Sequence, residues 1–343
     1  MVRIQDSQSW HRGSIPLSTT TSTMKNPLIS FIIPFYNVSA QQLKDSIDSI
    51  IALSLQSEER EIIVVDDGSN GKEQCPVNLL LDYSDDIIFI RKSQSGASDA
   101  RNMGLRMATG KYIQFVNGGD RLVPSSYEQC LDVARFKEPD MVMFCTTSNP
   151  DHESDILPVD GPVSGTEYML KNKITSAVWR YIFRSGLLMN LQFDSDVMNG
   201  DYVFTPQLMI RCDRVFSLKA KAYCHLGYMP WADYKVERKD RLDEMHDSIV
   251  SLRAIADVMP ASDRQAMSRR VAELTMAYIS AVITMTKSHS ILNERLEQLT
   301  GEGFFPLPDR KYTKRYQLFR KMIGNKVGRE ILFHTLPLMN GKN

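Results

Sequence analysis

Residues 94–122 read QSGASDARNMGLRMATGKYIQFVNGGDRL, and this stretch decides the fold class of the chain. It contains a glycine turn at Gly96, apolar residues with helical spacing over 97–108 and an apolar run over 112–116. The run ends in the polar sequence Asn-Gly-Gly-Asp at 117–120. A helix followed by a short buried strand that ends in polar residues is typical of an α/β protein with a parallel sheet.

The same alternation of strands and helices extends on both sides of this stretch. Short apolar runs predict strands over 29–34, 61–65, 86–90, 112–116 and 140–144. Helical spacing predicts helices over 41–55, 97–108 and 125–135, and Ser95 or Ser98 is the predicted N-cap of the second. This alternation implies right-handed crossovers, so the predicted fold class is α/β with a mostly parallel, Rossmann-like sheet and flanking helices.

Composition and charge narrow the function classes. The chain has 343 residues, 43% of them hydrophobic, which is enough for a large core and for two domains. Lys+Arg and Asp+Glu both total 41, so the overall charge indicates no nucleic-acid partner. The five cysteines show no CxxC spacing, and no charge-free apolar run approaches the roughly 18 residues of a membrane span. We therefore expect a cytoplasmic protein.

Polar residues follow three of the predicted strands at the point where each strand ends. They lie at 35–37 after the first strand, at Asp66 and Asp67 after the second, and at 117–120 after the fourth. Ligands of open parallel sheets bind beyond the carboxyl ends of the strands. Each group alone is an ordinary turn signal, but three groups at one edge predict a binding site.

Each element of this edge has a chemical use. A strand-end Asp can accept hydrogen bonds from a nucleobase or a ribose hydroxyl. Gly96 lets backbone approach a ligand closely, and the N-terminus of the following helix suits phosphate oxygens. Two interpretations of Arg101 stay open: it reaches a diphosphate, or it pairs with Asp99 or a neighbouring carboxylate.

Four motifs in this order resemble the N-terminal half of the family-2 glycosyltransferases. They are SFIIPFYN (30–37), IIVVDDGS (62–69), GASDARNMGL (96–105) and ATGKYIQFVNGGDRL (108–122). The resemblance covers residues 27–144. It implies the GT-A fold and transfer of a sugar, with inversion, from a nucleotide-sugar donor that we expect to be UDP-linked.

The resemblance also implies roles for particular residues. The backbone over 34–37 and the carboxylate of Asp66 would hold the nucleotide base and ribose, and Asp67 would support that loop. The implied donor-binding residues are Pro34, Phe35, Tyr36, Asn37, Asp66, Asp67, Gly96, Arg101, Asn117, Gly118 and Asp120.

The chain departs from the family pattern at the metal-binding motif. The family's Asp-x-Asp falls at the end of the fourth strand, where Asn117 and Gly119 replace the two carboxylates and leave Asp120 beside them. A divalent metal, Mg²⁺ or Mn²⁺, could bind through Asp120, Asn117 and the donor phosphates. Alternatively, Arg101 or Arg121 supplies the positive charge. Asp120 is the candidate metal ligand.

Residues 178–204 resemble the family's acceptor-side segment. The resemblance implies that Asp201 is the catalytic base and that Gly200 stands where the family often has Glu. A single carboxylate suffices for an inverting displacement, because no covalent intermediate forms. Asp201 could also act as the N-cap of a helix that begins at Tyr202. Trp179 and Trp231 are the candidate acceptor-stacking residues, with His225 and Trp231 following a predicted edge strand.

The two ends of the chain differ from this centre. Ser, Thr and Gln dominate 5–23, which predicts a disordered tail over 1–25. The glycosyltransferase domain is predicted over 26–235, with a nucleotide-sugar half (26–145) and an acceptor half (146–235), and a helical extension over 236–343. Basic and apolar residues alternate over 310–329 in an amphipathic pattern. Such a helix suits peripheral contact with an anionic membrane, or packs its apolar face within the protein.

Three functions are compatible with these features. The first is an active glycosyltransferase of surface polysaccharide biosynthesis, with a saccharide or lipid-linked saccharide as acceptor, at the inner face of the cytoplasmic membrane. The second is a GT-A domain that binds nucleotide or glycan without turnover. The third, a nucleotidyltransferase, is disfavoured because no glycine-rich phosphate loop follows the first strand. We expect the first.

Overall fold

A computed structural model describes residues 27–70, 76–149, 156–194, 200–227 and 238–340. The chain divides into two compact units. We call residues 1–165 with 175–234 the sheet unit, and residues 166–174 with 235–343 the helical unit. The tail predicted over 1–25 and Trp231 lie outside the described residues.

The described part of the sheet unit forms one sheet of nine strands in the order β3-β2-β1-β4-β8-β6-β9-β5, with β7 paired to β9. Their bounds are β1 Ile29–Phe35, β2 Arg60–Asp66, β3 Ile87–Arg91, β4 Tyr112–Phe115, β5 Arg121–Leu122, β6 Met141–Thr147, β7 Val159–Val163, β8 Tyr181–Arg184 and β9 Val215–Cys224. Strands β1, β2, β3, β4, β6 and β9 run in one direction, and β5, β7 and β8 run against them. The predicted α/β class with a mostly parallel sheet is confirmed.

Helices connect the strands and form the helical unit. In the sheet unit they are α1 Ala40–Ile51, α2 Val77–Asp82, α3 Ala97–Met107, α4 Pro124–Phe136 and α6 Asp201–Ile210. Helix α5 (Gly165–Lys171) lies mostly in the helical unit, with α7 Arg238–Asp257, α8 Ala261–Thr286, α9 His289–Gly301, α10 Lys314–Ile323 and α11 Lys326–Asn340. None of the described helices is long and apolar enough to span a membrane.

The core explains why the central strands read as continuous apolar runs. All seven residues of β1 are buried, because helices cover both faces of a parallel sheet. Helix α3 lies so close to β1 that a Cβ on Gly104 would come within 2.3 Å of the Ile32 side chain. This close approach fixes the position of the α3 N-terminus relative to the carboxyl end of β1.

Three details of the prediction were wrong. The N-cap of α3 is Gly96 rather than a serine, because its φ of 99° suits glycine and because the Ser95 hydroxyl donates to the Asp99 carboxylate. The N-cap of α6 is Gly200, so Asp201 is the first helical residue and not the cap. Strand β9 is not an edge strand, because β6 lies on one side of it and β5 and β7 on the other.

Candidate functional site

The loops that follow β1, β2 and β4 are joined to one another by backbone hydrogen bonds. The Asp67 N–H donates to the Phe35 carbonyl at 2.9 Å, and the Gly118 N–H donates to the Pro34 carbonyl at 3.2 Å. The Asn37 N–H donates to the Ser69 hydroxyl at 2.9 Å. The polar residues predicted at three separate strand ends therefore lie at one edge of the sheet.

Asp66 presents a buried carboxylate oxygen with no hydrogen-bond donor. Its side chain is fully buried, and its Oδ1 accepts from the Ser69 N–H at 2.8 Å. Its Oδ2 has no hydrogen-bond partner, although the Arg91 Nε lies 3.4 Å away. A buried polar atom left without a donor costs free energy. The Asp66 Oδ2 is therefore suited to accept a hydrogen bond from a ligand.

The loop beside Asp66 is held by side chains of the first-strand loop. The Tyr36 hydroxyl donates to the Asn70 Oδ1 at 3.0 Å, and the Asn70 N–H donates to the Asn37 Oδ1 at 2.8 Å. These contacts tie residues 36–37 to the turn after β2. The predicted base-binding segment is thus connected by hydrogen bonds to the turn that follows Asp66.

Asp67 holds the entrance of α3 and does not point to solvent. Its Oδ1 accepts from the Ser95 N–H at 2.9 Å, its Oδ2 accepts from the Gly96 N–H at 2.8 Å, and the Lys92 Nζ lies 2.9 Å away. The Gly96 cap contributes no side-chain hydrogen bond to α3. The first-turn N–H groups of α3 therefore stand at the same edge as Asp66.

The carboxylate oxygens of Asp120 already accept hydrogen bonds from other groups of the protein. Its Oδ2 accepts from the Tyr223 hydroxyl at 2.8 Å and from the Asn117 amide at 3.1 Å, and its Oδ1 accepts from the Leu226 N–H at 3.0 Å. The His225 Nδ1 lies 3.0 and 3.1 Å from the two oxygens. Four donors occupy about four lone-pair positions of a carboxylate.

This arrangement does not fit a divalent cation on Asp120. The side chain is fully buried, and a metal would have to displace a donor from the carboxylate. The neighbouring Gly119 has a φ of 96°, a conformation in which any other side chain would be strained. The backbone conformation of this loop therefore favours glycine at position 119, where the family has its second carboxylate.

Asp201 and Arg101 form an ion pair between α6 and α3. The Arg101 Nη1 lies 2.6 Å from the Asp201 Oδ1, and the two side chains are 6% and 14% exposed. Burial raises the pKa of Asp201, while the Arg101 guanidinium and the backbone N–H groups of Val178 and Asp201 oppose that rise. Arg101 thus pairs with a carboxylate, but with the buried Asp201 and not with Asp99, which is bound to Lys92 and Ser95 instead.

A short 3-10 turn links the Asp201 and Asp120 regions. The turn spans Val178–Arg180, and its Val178 N–H donates a hydrogen bond to the Asp201 carboxylate. The Trp179 ring stacks on the His225 ring with centroids 5.8 Å apart, and the hydrogen bond to Asp120 raises the pKa of His225. His225 therefore belongs to this site through Asp120 and Trp179, a pairing that no sequence spacing indicated.

Comparisons with known proteins agree with this architecture. Residues 30–190 match the family model described as "Glycosyl transferase family 2". The "Uncharacterized glycosyltransferase YibD" of Escherichia coli is 26% identical over 200 residues, which is 54% of this chain and 57% of that protein. The "Uncharacterized glycosyltransferase EpsJ" of Bacillus subtilis is 29% identical over 186 residues, 50% of this chain and 52% of that protein. The chain spans about half the length of these curated relatives.

Solved structures share the fold at low sequence identity. Staphylococcus aureus TarS 1-349, in complex with UDP-GlcNAc, is 16% identical with a TM-score of 0.62, covering 92% of this chain and 91% of that one. The mannosyltransferase PcManGT of Pyrobaculum calidifontis, in complex with GDP-Man and Mn2+, is 16% identical with a TM-score of 0.55, covering 96% and 92%.

The sheet, its carboxyl-end site and these structural likenesses define a GT-A fold. Residues 30–190 therefore form the part of the chain that is similar to glycosyl transferase family 2.

Proposed function

We propose that the protein transfers a sugar from a UDP-linked nucleotide-sugar donor to a saccharide or lipid-linked saccharide acceptor, with inversion. The observation that supports this most strongly is the fully buried Asp66 carboxylate at the sheet edge where the nucleotide sugar binds in the family. Its Oδ2 accepts no hydrogen bond and is ion-paired with Arg91 at 3.4 Å. TarS, whose structure was solved with UDP-GlcNAc, has the same fold. In this proposal, the nucleobase or ribose donates the missing hydrogen bond to Asp66.

The proposed reaction is a single displacement. Asp201 accepts the proton of an acceptor hydroxyl as that oxygen forms a bond to the anomeric carbon. The bond between the anomeric carbon and the donor phosphate oxygen breaks, and the nucleoside diphosphate leaves with its electron pair. Attack opposite to the leaving group inverts the anomeric carbon.

The leaving diphosphate needs positive charge, and the donor set around Asp120 does not favour a metal there. Arg121 is bound to Asp45 and Arg101 to Asp201, so these two arginines are already paired. The backbone N–H groups of 117–120 already donate within the protein, so we assign the diphosphate to the N-terminus of α3, where first-turn N–H groups suit phosphate oxygens. The acceptor lies on the Trp179 side, by Asp201.

Replacing Asp66 with Asn should weaken binding of the nucleotide. A hydrogen bond to a charged acceptor contributes about 1.5–3 kcal/mol, which corresponds to roughly 10- to 100-fold in affinity. Titration calorimetry with UDP on the wild-type protein and the variant measures this change. The matched control is Asp85→Asn, which alters an exposed carboxylate after α2. Equal UDP affinity in all three proteins would exclude Asp66 from the donor site.

The biological setting is proposed from the relatives. The "Minor teichoic acid biosynthesis protein GgaB" of Bacillus subtilis is 35% identical over 104 residues, which is 30% of this chain and 11% of that protein. We propose a role in surface polysaccharide biosynthesis at the inner face of the cytoplasmic membrane. A lipid-linked acceptor would place the reaction at that surface.

The surface of the helical unit that suits contact with a membrane is the charged face of α10. The apolar residues Tyr316, Phe319 and Ile323 of α10 are buried, so the apolar side of the amphipathic pattern packs within the protein. On the opposite side Lys314, Arg315 and Lys321 are exposed, and Leu318 is 61% exposed. We propose that this basic face of α10 contacts anionic lipid headgroups.

The basic face of α10 can be tested with vesicles. Phosphatidylcholine vesicles with phosphatidylglycerol should bind the protein, and vesicles without it should not. Replacing Lys314, Arg315 and Lys321 with Gln should weaken binding roughly 100-fold, since each cation contributes about 1 kcal/mol. A control with Arg106, Lys219 and Lys221 replaced by Gln removes the same charge from exposed positions of the sheet unit. Equal loss in both variants would show nonspecific attraction.

A further inference from the structure

The Ala-Arg-Asn motif at 100–102 is joined to the acceptor side of the site. The Arg101 Nη1 contacts the Asp201 Oδ1 at 2.6 Å, across 100 residues of sequence. The Asn102 amide donates to the Phe193 carbonyl at 2.8 Å, and its Oδ1 accepts from the Phe193 N–H at 2.8 Å. Two consecutive side chains of one helix thus hold both the proposed base and the segment before it.

The Phe193 ring packs against side chains of both α3 and α6. Its ring stacks on Phe204 of α6 with centroids 3.9 Å apart, and the guanidinium of Arg101 lies 5.4 Å from its centre. Arg101 is only 5% exposed, and its Nε has no hydrogen-bond partner. The contacts that hold the guanidinium are therefore the Asp201 carboxylate and the Phe193 ring.

We propose that Arg101 is a positioning residue, which orients the Asp201 carboxylate and stabilises its negative charge. Asn102 holds the Phe193 backbone, whose ring packs against Arg101. This inference rests on the proposed function, because it assumes that Asp201 is the base. It gives the Arg101 side chain a role on the acceptor side of the reaction, in place of direct contact with the donor diphosphate.

Electrostatics explain why such a partner is needed. Asp201 must be ionised to accept a proton, and burial favours its neutral form. Four described groups face it: Arg101 from α3, the Val178 N–H from the 3-10 turn, the N–H of Asp201 itself at the start of α6, and Tyr181 from β8. Tyr181 is fully buried and its hydroxyl is bonded to Thr205, so it supplies no charge. Arg101 brings the full positive charge.

The pH profile and the kinetic constants test this proposal. Activity should rise with pH as Asp201 ionises, and Arg101 lowers the pKa at which this occurs. Arg101→Gln should lower kcat about 10- to 100-fold, leave the KM for donor nearly unchanged, and move the acidic limb of the profile to higher pH. Arg101→Lys should restore part of kcat and of the profile. Arg106→Gln, an exposed arginine on the same helix, should match the wild type.

Several results would overturn the proposal. A large rise in the donor KM with unchanged kcat would make Arg101 a phosphate ligand, and unchanged constants would give it no role. A readout without turnover is the ¹³C NMR titration of the Asp201 carboxyl, assigned by its loss in Asp201→Asn. Its midpoint should rise in Arg101→Gln and not in Arg106→Gln; an unchanged midpoint overturns the proposal even if no sugar is transferred. Wild-type protein without any transfer would contradict the proposed function instead.

Discussion

Replacing Asp201 with Asn is expected to lower kcat by about 10²- to 10⁴-fold while UDP binding stays at the wild-type level. The amide has nearly the same size as the carboxylate but cannot accept the proton of the acceptor hydroxyl. Asp201 lies at the start of α6, where it is ion-paired with Arg101 and accepts a hydrogen bond from the Val178 N–H. It is not one of the groups around Asp66. The loss should therefore fall on the chemical step. Initial rates and UDP titration calorimetry on the same preparations measure both quantities.

A control at the other end of α6 makes this result interpretable. Asp213→Asn changes an exposed carboxylate three residues after the end of α6 and should leave kcat unchanged. Thermal unfolding of both variants should show that the fold is kept. Wild-type turnover in Asp201→Asn would remove Asp201 from the chemistry and direct the search to another acceptor of the proton.

Replacing Asp120 with Ala is expected to lower the free energy of unfolding by about 3 kcal/mol or more. The change leaves the Tyr223 hydroxyl and the Leu226 N–H without their acceptor, together with the Asn117 amide and the His225 ring. Each buried donor left unsatisfied costs about 1–3 kcal/mol. Urea unfolding followed by circular dichroism measures the difference.

Asp120→Asn separates this structural role from a metal role. Its remaining carbonyl oxygen can still accept from Tyr223 or Leu226, so we expect a smaller loss of stability than in Asp120→Ala. If Asp120 were a metal ligand, stability would change little and the lost activity would return at raised Mn²⁺ concentration. Sugar transfer that continues in the presence of a chelator would agree with a structural role for Asp120. Loss of transfer in the chelator would contradict that role.

Much of the fold was predictable because buried parallel strands carry a strong local signal. Strand β1 (Ile29–Phe35) is apolar along its whole length and β4 ends in a polar turn, so their existence follows from short-range sequence alone. The order of the motifs then indicated the family, and residues 30–190 match its model. Helix α2 (Val77–Asp82) was missed, since its six residues span fewer than two turns and are too short to show helical spacing.

The contacts within the site could not be predicted in the same way. Arg101 and Asp201 are 100 residues apart, and Asp120 and His225 are 105 residues apart. Which carboxylate an arginine meets depends on how α3 and α6 pack, and spacing along the chain contains no such information. The same holds for the α3 cap, where backbone geometry at Gly96 prevailed over the serines beside it.

The central claim is sugar transfer that depends on Asp201, and release of nucleoside diphosphate tests it most directly. Wild-type protein would be incubated with a panel of UDP- and GDP-linked sugars and with saccharide and lipid-linked acceptors, with and without Mn²⁺. We predict acceptor-dependent release from at least one UDP-sugar, and loss of that release in Asp201→Asn. UDP-sugar binding by the wild-type protein with no release from any donor, under any of these conditions, would contradict the account and identify a binding domain without turnover.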